Sequence, residues 1–196
     1  TLYEKMVFDI TNGNKRYIIS DCWNKSTQHT FKLLVLKQFR LNENKEYVLC
    51  DNAKSIVCIN GDCLLYFNKN DIKNSKFSCD IFGLKSVVDL KVEKAKFLTN
   101  INGYIRDNNI DIWIYSPSIK TGISFNDIQE DLDKQNGKYW FDKHYSFGRI
   151  QSVCVREYIQ MLYRPRKLND KEINIFITDM DKHNEFLPSI EISKIE

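Results

Sequence analysis

The sequence predicts an α/β fold, a mainly parallel sheet with helices on both faces, and three observations carry that expectation. Short apolar runs rich in β-formers recur along the chain: "RYIISD" (16–21), "EYVLC" (46–50), "SIVCIN" (55–60), "DIWIYS" (111–116) and "EINIFITD" (172–179). Segments with apolar side chains at helical spacing separate several of these runs. The composition, 42% hydrophobic and 28% charged over 196 residues, is that of one soluble domain able to bury a real core. Strands alternating with helices of ten or more residues imply βαβ units and a parallel sheet.

Taken in order, "YEKMVFDITNGNK" offers a short amphipathic helix, with Asn12-Gly13 as its stop. The strand 16–21 follows. From 23 to 39, Trp23, Thr27, Phe31 and Leu34 recur at helical spacing, with Val35 and Gln38 flanking the stripe. Strands at 46–50 and 55–60 come next. The stretch 61–88 has apolar islands ("CLLYF", "DIFGL") set among Asn, Lys and Asp, as an irregular insertion or a small hairpin would. Leu90, Ala95, Leu98, Ile101 and Ile105 restore helical spacing over 89–107. The strand 111–116 is followed by a polar loop and by "YWFDKHYSFG" (139–148), which reads as a strand ending at glycine. A helix over 150–163 and a last buried strand over 172–179 complete the order.

The totals narrow the function. A formal charge of +3 is too mild to imply nucleic-acid binding by itself. Cys22, Cys50, Cys58, Cys63, Cys79 and Cys154 form no C-x-x-C pair, and His29, His144 and His183 are scattered, so the spacing does not suggest zinc. Reduced, mostly buried thiols in an intracellular chain are expected instead. No apolar run approaches the ~18 residues of a membrane span. The chain opens on threonine, as a fragment would.

Ligands of parallel α/β folds sit beyond the carboxyl ends of the strands, which directs attention to the loops after Asp21, Ser116, Gly148 and Asp179. "YSPSIKTGISF" (115–125) supplies hydroxyls from Ser116, Ser118 and Thr121, close backbone approach at Gly122 and charge at Lys120. It is either a phosphate-contacting loop or an ordinary turn built on Pro117 and Gly122. In "SVCVREYIQMLYRPRKL" (152–168), Arg156, Gln160 and Arg164 share one polar stripe by their spacing of four, with Tyr163 beside it. Val153, Cys154, Tyr158, Met161 and Leu162 can form the buried side. Pro165 stops the helix and separates Arg164 from Arg166. Those arginines either cap a basic helix end or await a phosphate. Asp142, Lys143 and His144, set among aromatics, either stack bases or are charges flanking a core strand, and the second is expected. "DIQEDLD" (127–133) reads as a solvated acidic face.

The order of these segments resembles motifs IV, V and VI of a superfamily 2 helicase, with "RYIISD", "SPSIKTGISF" and "QMLYRPR" in their places. The closer resemblance is to viral replication origin-binding helicases, the herpesvirus-type proteins and their large-DNA-virus relatives, and it is concentrated in residues 111–179. It implies a single RecA-like C-terminal lobe over 1–196. By that resemblance Arg164 and Arg166, with Gln160 on the same cleft, are the catalytic arginine element. With Gly122 they contact the phosphates of ATP. Ser116, Ser118, Lys120, Thr121 and Ser124 contact the nucleic-acid strand. Tyr163 stands where the family has glycine, and Pro165 lies between the arginines. ATP and Mg²⁺ are the implied cofactors of the whole protein, and the N-terminal RecA-like lobe, single-stranded or forked DNA and replication proteins its implied partners. The implied location is the intracellular site of viral DNA replication. No G-x-x-x-x-G-K-[ST] occurs in the chain, so it is expected to be inactive alone. The rival expectation is a non-catalytic nucleic-acid-binding or scaffold domain of the same fold.

Overall fold

A computed structural model describes residues 1–72, 90–117, 124–149 and 154–178, with the side chains of 71–72 and 90–93 left aside. It is an α/β fold around one six-stranded, mostly parallel sheet. The strands are β1 (Tyr17–Asp21), β4 (Ile56–Ile59), β5 (Leu64–Phe67), β6 (Ile112–Tyr115), β7 (Lys143–Arg149) and β8 (Ile173–Thr178). They lie in the order β5-β4-β6-β1-β7-β8, and only β5 runs antiparallel. A separate hairpin joins β2 (Phe39–Leu41) to β3 (Tyr47–Leu49). The run 46–50 is therefore a strand outside the main sheet, and 61–67 is the ordered hairpin partner of β4. The one-turn helix α3 (Lys69–Ile72) follows β5, and residues 73–88 of the predicted insertion lie outside the described residues.

β1 and β6 are buried along their whole length because helices cover both faces, which is why they read as unbroken apolar runs. On one face α1 (Leu2–Asn12) and α2 (Asn24–Leu36) bring Met6, Ile10, Phe31 and Leu34 against Ile19, Ile112 and Ile114. Thr1 and Glu4 form a capping box at the start of α1, and the helix ends at Gly13. On the other face α4 (Leu90–Thr99), α5 (Ile101–Asp107) and α7 (Val155–Leu162) meet Ile18, Trp113 and Tyr115 through Phe97, Ile105 and Met161. Trp113 is the hub of this layer, 4.6 Å from the Tyr115 ring and within 6.5 Å of Phe97, Phe125 and Phe141.

Several expectations need correction. The helix predicted over 89–107 is two helices, because Asn100 leaves helical geometry and its side chain accepts from Gly103 N–H at 2.9 Å. Residues 139–142 are not strand. The Asp142 carboxylate takes the Arg16 N–H at 2.8 Å, and β7 starts one residue later. The acidic run is not simply solvated. Part of it forms α6 (Gln129–Lys134), and Arg106 binds Asp127 at 2.9 Å and Asp131 at 2.8 Å, with the Asp127 side chain only 1% exposed. Finally, β8 is an edge strand rather than a buried one. Among the described residues β7 is its one neighbour, and no helix covers the face that carries Ile173, Ile175 and Ile177, which are exposed.

Candidate functional site

The connections of the sheet part between β1 and β7. From β1 the chain passes through α2 on one face toward β4, whereas from β7 it passes through α7 on the other face to β8. A crevice at the carboxyl ends of such diverging strands is where an open α/β sheet accepts ligands. Asp21 closes β1 at this point. Its carboxylate accepts the Trp23 N–H at 2.9 Å and the Ser26 hydroxyl at 2.6 Å, tying the strand end to the first turn of α2.

Arg149, the last residue of β7, reaches Asp21 at 3.9 Å and lies 4.5 Å from the Trp23 ring centroid. The two charged side chains are 8% and 7% exposed. Burial pushes the Asp21 carboxyl up to about 6, against the Ser26 hydrogen bond, the Arg149 charge and the Trp23 N–H, all of which favour the carboxylate. Burial also lowers Arg149, and Asp21 opposes that shift. The adjoining cavity, lined by Tyr3, Asp21, Phe147, Arg149, Phe176 and Thr178, measures about 40 Å³. That is room for a few waters, so a nucleotide would enter only if the crevice widened. Trp23 and Arg149 carry no motif. The one signal for them was their position just beyond the carboxyl ends of predicted strands.

The segment 115–125 begins at the same edge, where β6 ends. Ser116 is fully buried, and its hydroxyl donates to Asn24 Oδ1 at 2.7 Å, so it is already committed to the first turn of α2. Ser118, Lys120, Thr121 and Gly122 lie outside the described residues. Ser124 is half-buried and accepts from Asn126 at 3.5 Å. Phe125 then forms a parallel bridge to Pro165. The Phe125 N–H donates to the Arg164 carbonyl at 2.9 Å, and the Arg166 N–H donates to the Phe125 carbonyl at 3.2 Å. The end of the 115–125 segment is thus tied to the backbone between the two arginines.

The polar stripe expected on α7 stops short of Arg164. Gln160 is exposed, but Arg164 is 6% exposed, because the helix ends at Leu162 and the spacing of four no longer applies beyond it. Arg164 packs near Tyr115, and burial lowers its pKa while Tyr115 opposes the shift. Cys154, assigned to the buried side, is exposed at the helix start, whereas Met161 and Leu162 are buried and Tyr158 half-buried. Arg166 is exposed. Tyr163 is 67% exposed, so its ring points away from the core.

A buried polar chain runs beneath α7. Ser20 Oγ donates to Ser146 Oγ at 2.8 Å, and Ser146 meets Tyr158 Oη at 3.0 Å. His144 Nε2 lies 2.8 Å from Ser20 Oγ. The single Ser20 hydroxyl proton already goes to Ser146, so His144 must be the donor, as the Nε2–H tautomer. Its Nδ1 is then a buried acceptor with no hydrogen-bond partner among the described residues. Burial lowers the His144 pKa to about 3, which keeps the ring neutral.

No family model, curated protein or solved structure matches this chain. Its functional reading therefore rests on residue pattern and geometry. Two edges of the sheet matter. Asp21, Ser116 and Arg149 gather at the carboxyl edge. The 164–168 loop instead runs to the amino edge, where Asn169 N–H meets the Phe141 carbonyl at 3.1 Å, just ahead of β7.

Proposed function

We propose that the chain is the second motor lobe, RecA-like in class, of an ATP-dependent superfamily 2 helicase serving DNA replication initiation as origin-binding helicases do. One observation carries the reading: the Phe125–Pro165 bridge, which fastens the exit of the strand-contacting segment to the arginine loop. A motor must transmit a change at the nucleotide to its grip on the strand. Two loops sharing backbone hydrogen bonds move together, which is what such transmission needs. The mostly parallel sheet with helices on both faces is the architecture this role requires.

In this reading ATP and Mg²⁺ are held by the N-terminal lobe, which supplies the phosphate-binding lysine and the metal carboxylates. This chain offers Arg166, exposed and always charged, to the developing charge on the transferred phosphoryl group. Ser116 and Ser124 bracket the loop whose backbone follows the nucleic-acid strand, a contact that carries no base sequence. The expected result is measured on the protein containing both lobes. Arg166→Ala lowers DNA-stimulated ATP turnover by roughly 10³-fold or more, and residues 1–196 alone show no turnover. Wild-type turnover in Arg166→Ala would overturn the assignment.

The burial of Arg164 favours a second reading, a non-catalytic nucleic-acid-binding or scaffold domain of the same fold. A guanidinium packed near Tyr115 is not presented to a nucleotide. The parent open reading frame discriminates between the two: an upstream G-x-x-x-x-G-K-[ST] with an acidic metal-binding motif supports the motor, and a full gene without them supports the scaffold.

A further inference from the structure

The amino edge of the sheet, on the α7 face, carries a second cleft that no motif announced. Tyr139, Tyr163, Arg166, Lys167, Lys171 and Ile173 line an open space of about 320 Å³, within the range of small-ligand and nucleotide sites. Three cations and no carboxylate line it. Arg166 and Lys171 form no ion pair with any described residue, so their charge is turned outward. Tyr163 is 67% exposed at the end of α7, a large apolar ring held in solvent by a helix cap rather than by packing. Lys167 Nζ lies 5.4 Å from the Tyr139 ring centroid.

The cleft is built on a braced floor. Asn169 accepts the Tyr139 N–H at 2.8 Å and donates to the Tyr139 carbonyl at 2.9 Å and to Asp142 at 2.7 Å. These bonds fix the Tyr139 backbone against the 165–171 loop. Lys171 adopts φ 54°, the left-handed region that a residue with a Cβ enters at some cost, and its N–H closes a turn on the Leu168 carbonyl at 3.3 Å. Aromatic faces and cations are thus brought together by two backbone segments hydrogen-bonded to each other.

We propose that this cleft binds a single strand of nucleic acid, with bases stacked on Tyr139 and Tyr163 and phosphates against Lys167 and Lys171. An exposed ring, Tyr163, and a half-buried one, Tyr139, interleaved with cations are what a sequence-tolerant strand needs, since every base has a π-face and every nucleotide one charge. An acidic peptide would satisfy the cations but leave both rings without a planar partner. The cleft sits at the opposite end of β7 from Asp21 and Arg149, roughly 20 Å away at strand rise. It is therefore separate from the carboxyl-edge crevice and from Ser116. It does not depend on the motor reading, because binding is measured without ATP or a second lobe.

The test is fluorescence anisotropy of a fluorescein-labelled fifteen-residue oligothymidylate with residues 1–196, titrated across a salt series. Tyr163→Ala is expected to weaken binding roughly tenfold with the salt slope unchanged, and Tyr163→Phe to retain binding, because stacking uses the ring and not the hydroxyl. Lys167→Gln with Lys171→Gln is expected to weaken binding and to reduce the slope of log K against log salt by about 1.4, two single-strand phosphate contacts. These side chains lie at the surface, so circular dichroism should report wild-type folding for each variant. Wild-type affinity in Tyr163→Ala would overturn the proposal. So would equal affinity for inorganic polyphosphate or for an oligoglutamate of matched charge, which would reduce the cleft to an electrostatic patch.

Discussion

Replacing His144 with glutamine tests the buried polar chain beneath α7, because it removes the titrating ring while keeping an N–H donor for Ser20. In the folded chain His144 is fully buried, with a pKa lowered to about 3 by burial. In the unfolded chain it takes up a proton near pH 6.5. The depressed folded value makes its neutral form a source of stability that is fully present above pH 6.5 and lost as pH falls toward 3. Between those limits the unfolded state binds the extra proton, so stability falls by about 1.4 kcal/mol for each pH unit of acidification. From pH 7.5 to 4.5 the loss from this one group comes to about 3 kcal/mol. Asp21 works in the opposite direction. Its folded pKa is raised to about 6, so the folded state binds the extra proton and stability falls as pH rises from about 4 to 6. The wild-type curve alone would blur the two slopes. Subtracting the His144→Gln curve cancels Asp21, which both proteins share. The assay is urea unfolding followed by circular dichroism at half-unit intervals from pH 4.5 to 7.5. The wild-type advantage over the variant should shrink by about 3 kcal/mol across that span, most of it below pH 6.5. A difference that stays constant with pH would refute the burial and neutrality of His144.

Three further outcomes follow from packing. Arg106→Met leaves Asp127 buried without its partner and should cost about 3 kcal/mol or more in urea unfolding, while Lys134→Met, at an exposed pair with Glu130, should change stability by less than about 0.5 kcal/mol. A Cβ at Gly148 would stand 3.0 Å from the Tyr158 ring. Gly148→Ala is therefore expected to cost about 1 kcal/mol or more, with most of that cost absent in a Tyr158→Leu background, and thermal melts of the four proteins give the coupling. Ile175→Thr on the exposed side of β8 should lie within about 0.5 kcal/mol of wild type, whereas Ile114→Ala in β6 should lose about 2–5 kcal/mol. Equal losses at the two positions would contradict the edge placement of β8.

Much of the scaffold was legible because local chemistry dictates it. β1 and β6 are apolar without interruption since both of their faces are covered, and α1 ends at Asn12-Gly13, where its sequence stops it. The spacing of Phe31 and Leu34 placed the buried face of α2, and the alternation of strands with helices implied a parallel sheet. What the sequence could not carry was anything set by position among distant neighbours. "INIFIT" alternates in the same way whether or not a helix covers its isoleucines, and only the sheet order makes β8 an edge with that side open. Arg164 continued a stripe on paper, but the helix stops two residues before it and the turn carries its side chain inward. Asp21 and Arg149 meet because parallel pairing sets Asp21 beside Phe147, two residues from Arg149 and 126 positions along the chain. The amino-edge cleft arises likewise, where the loop after α7 returns against the residues leading into β7. Periodicity and capping act over a few residues and are written in the chain itself. Burial of a charge, exposure of an edge and the meeting of two loops depend on which surfaces the sheet brings together, and that is decided only when the strands have taken their order.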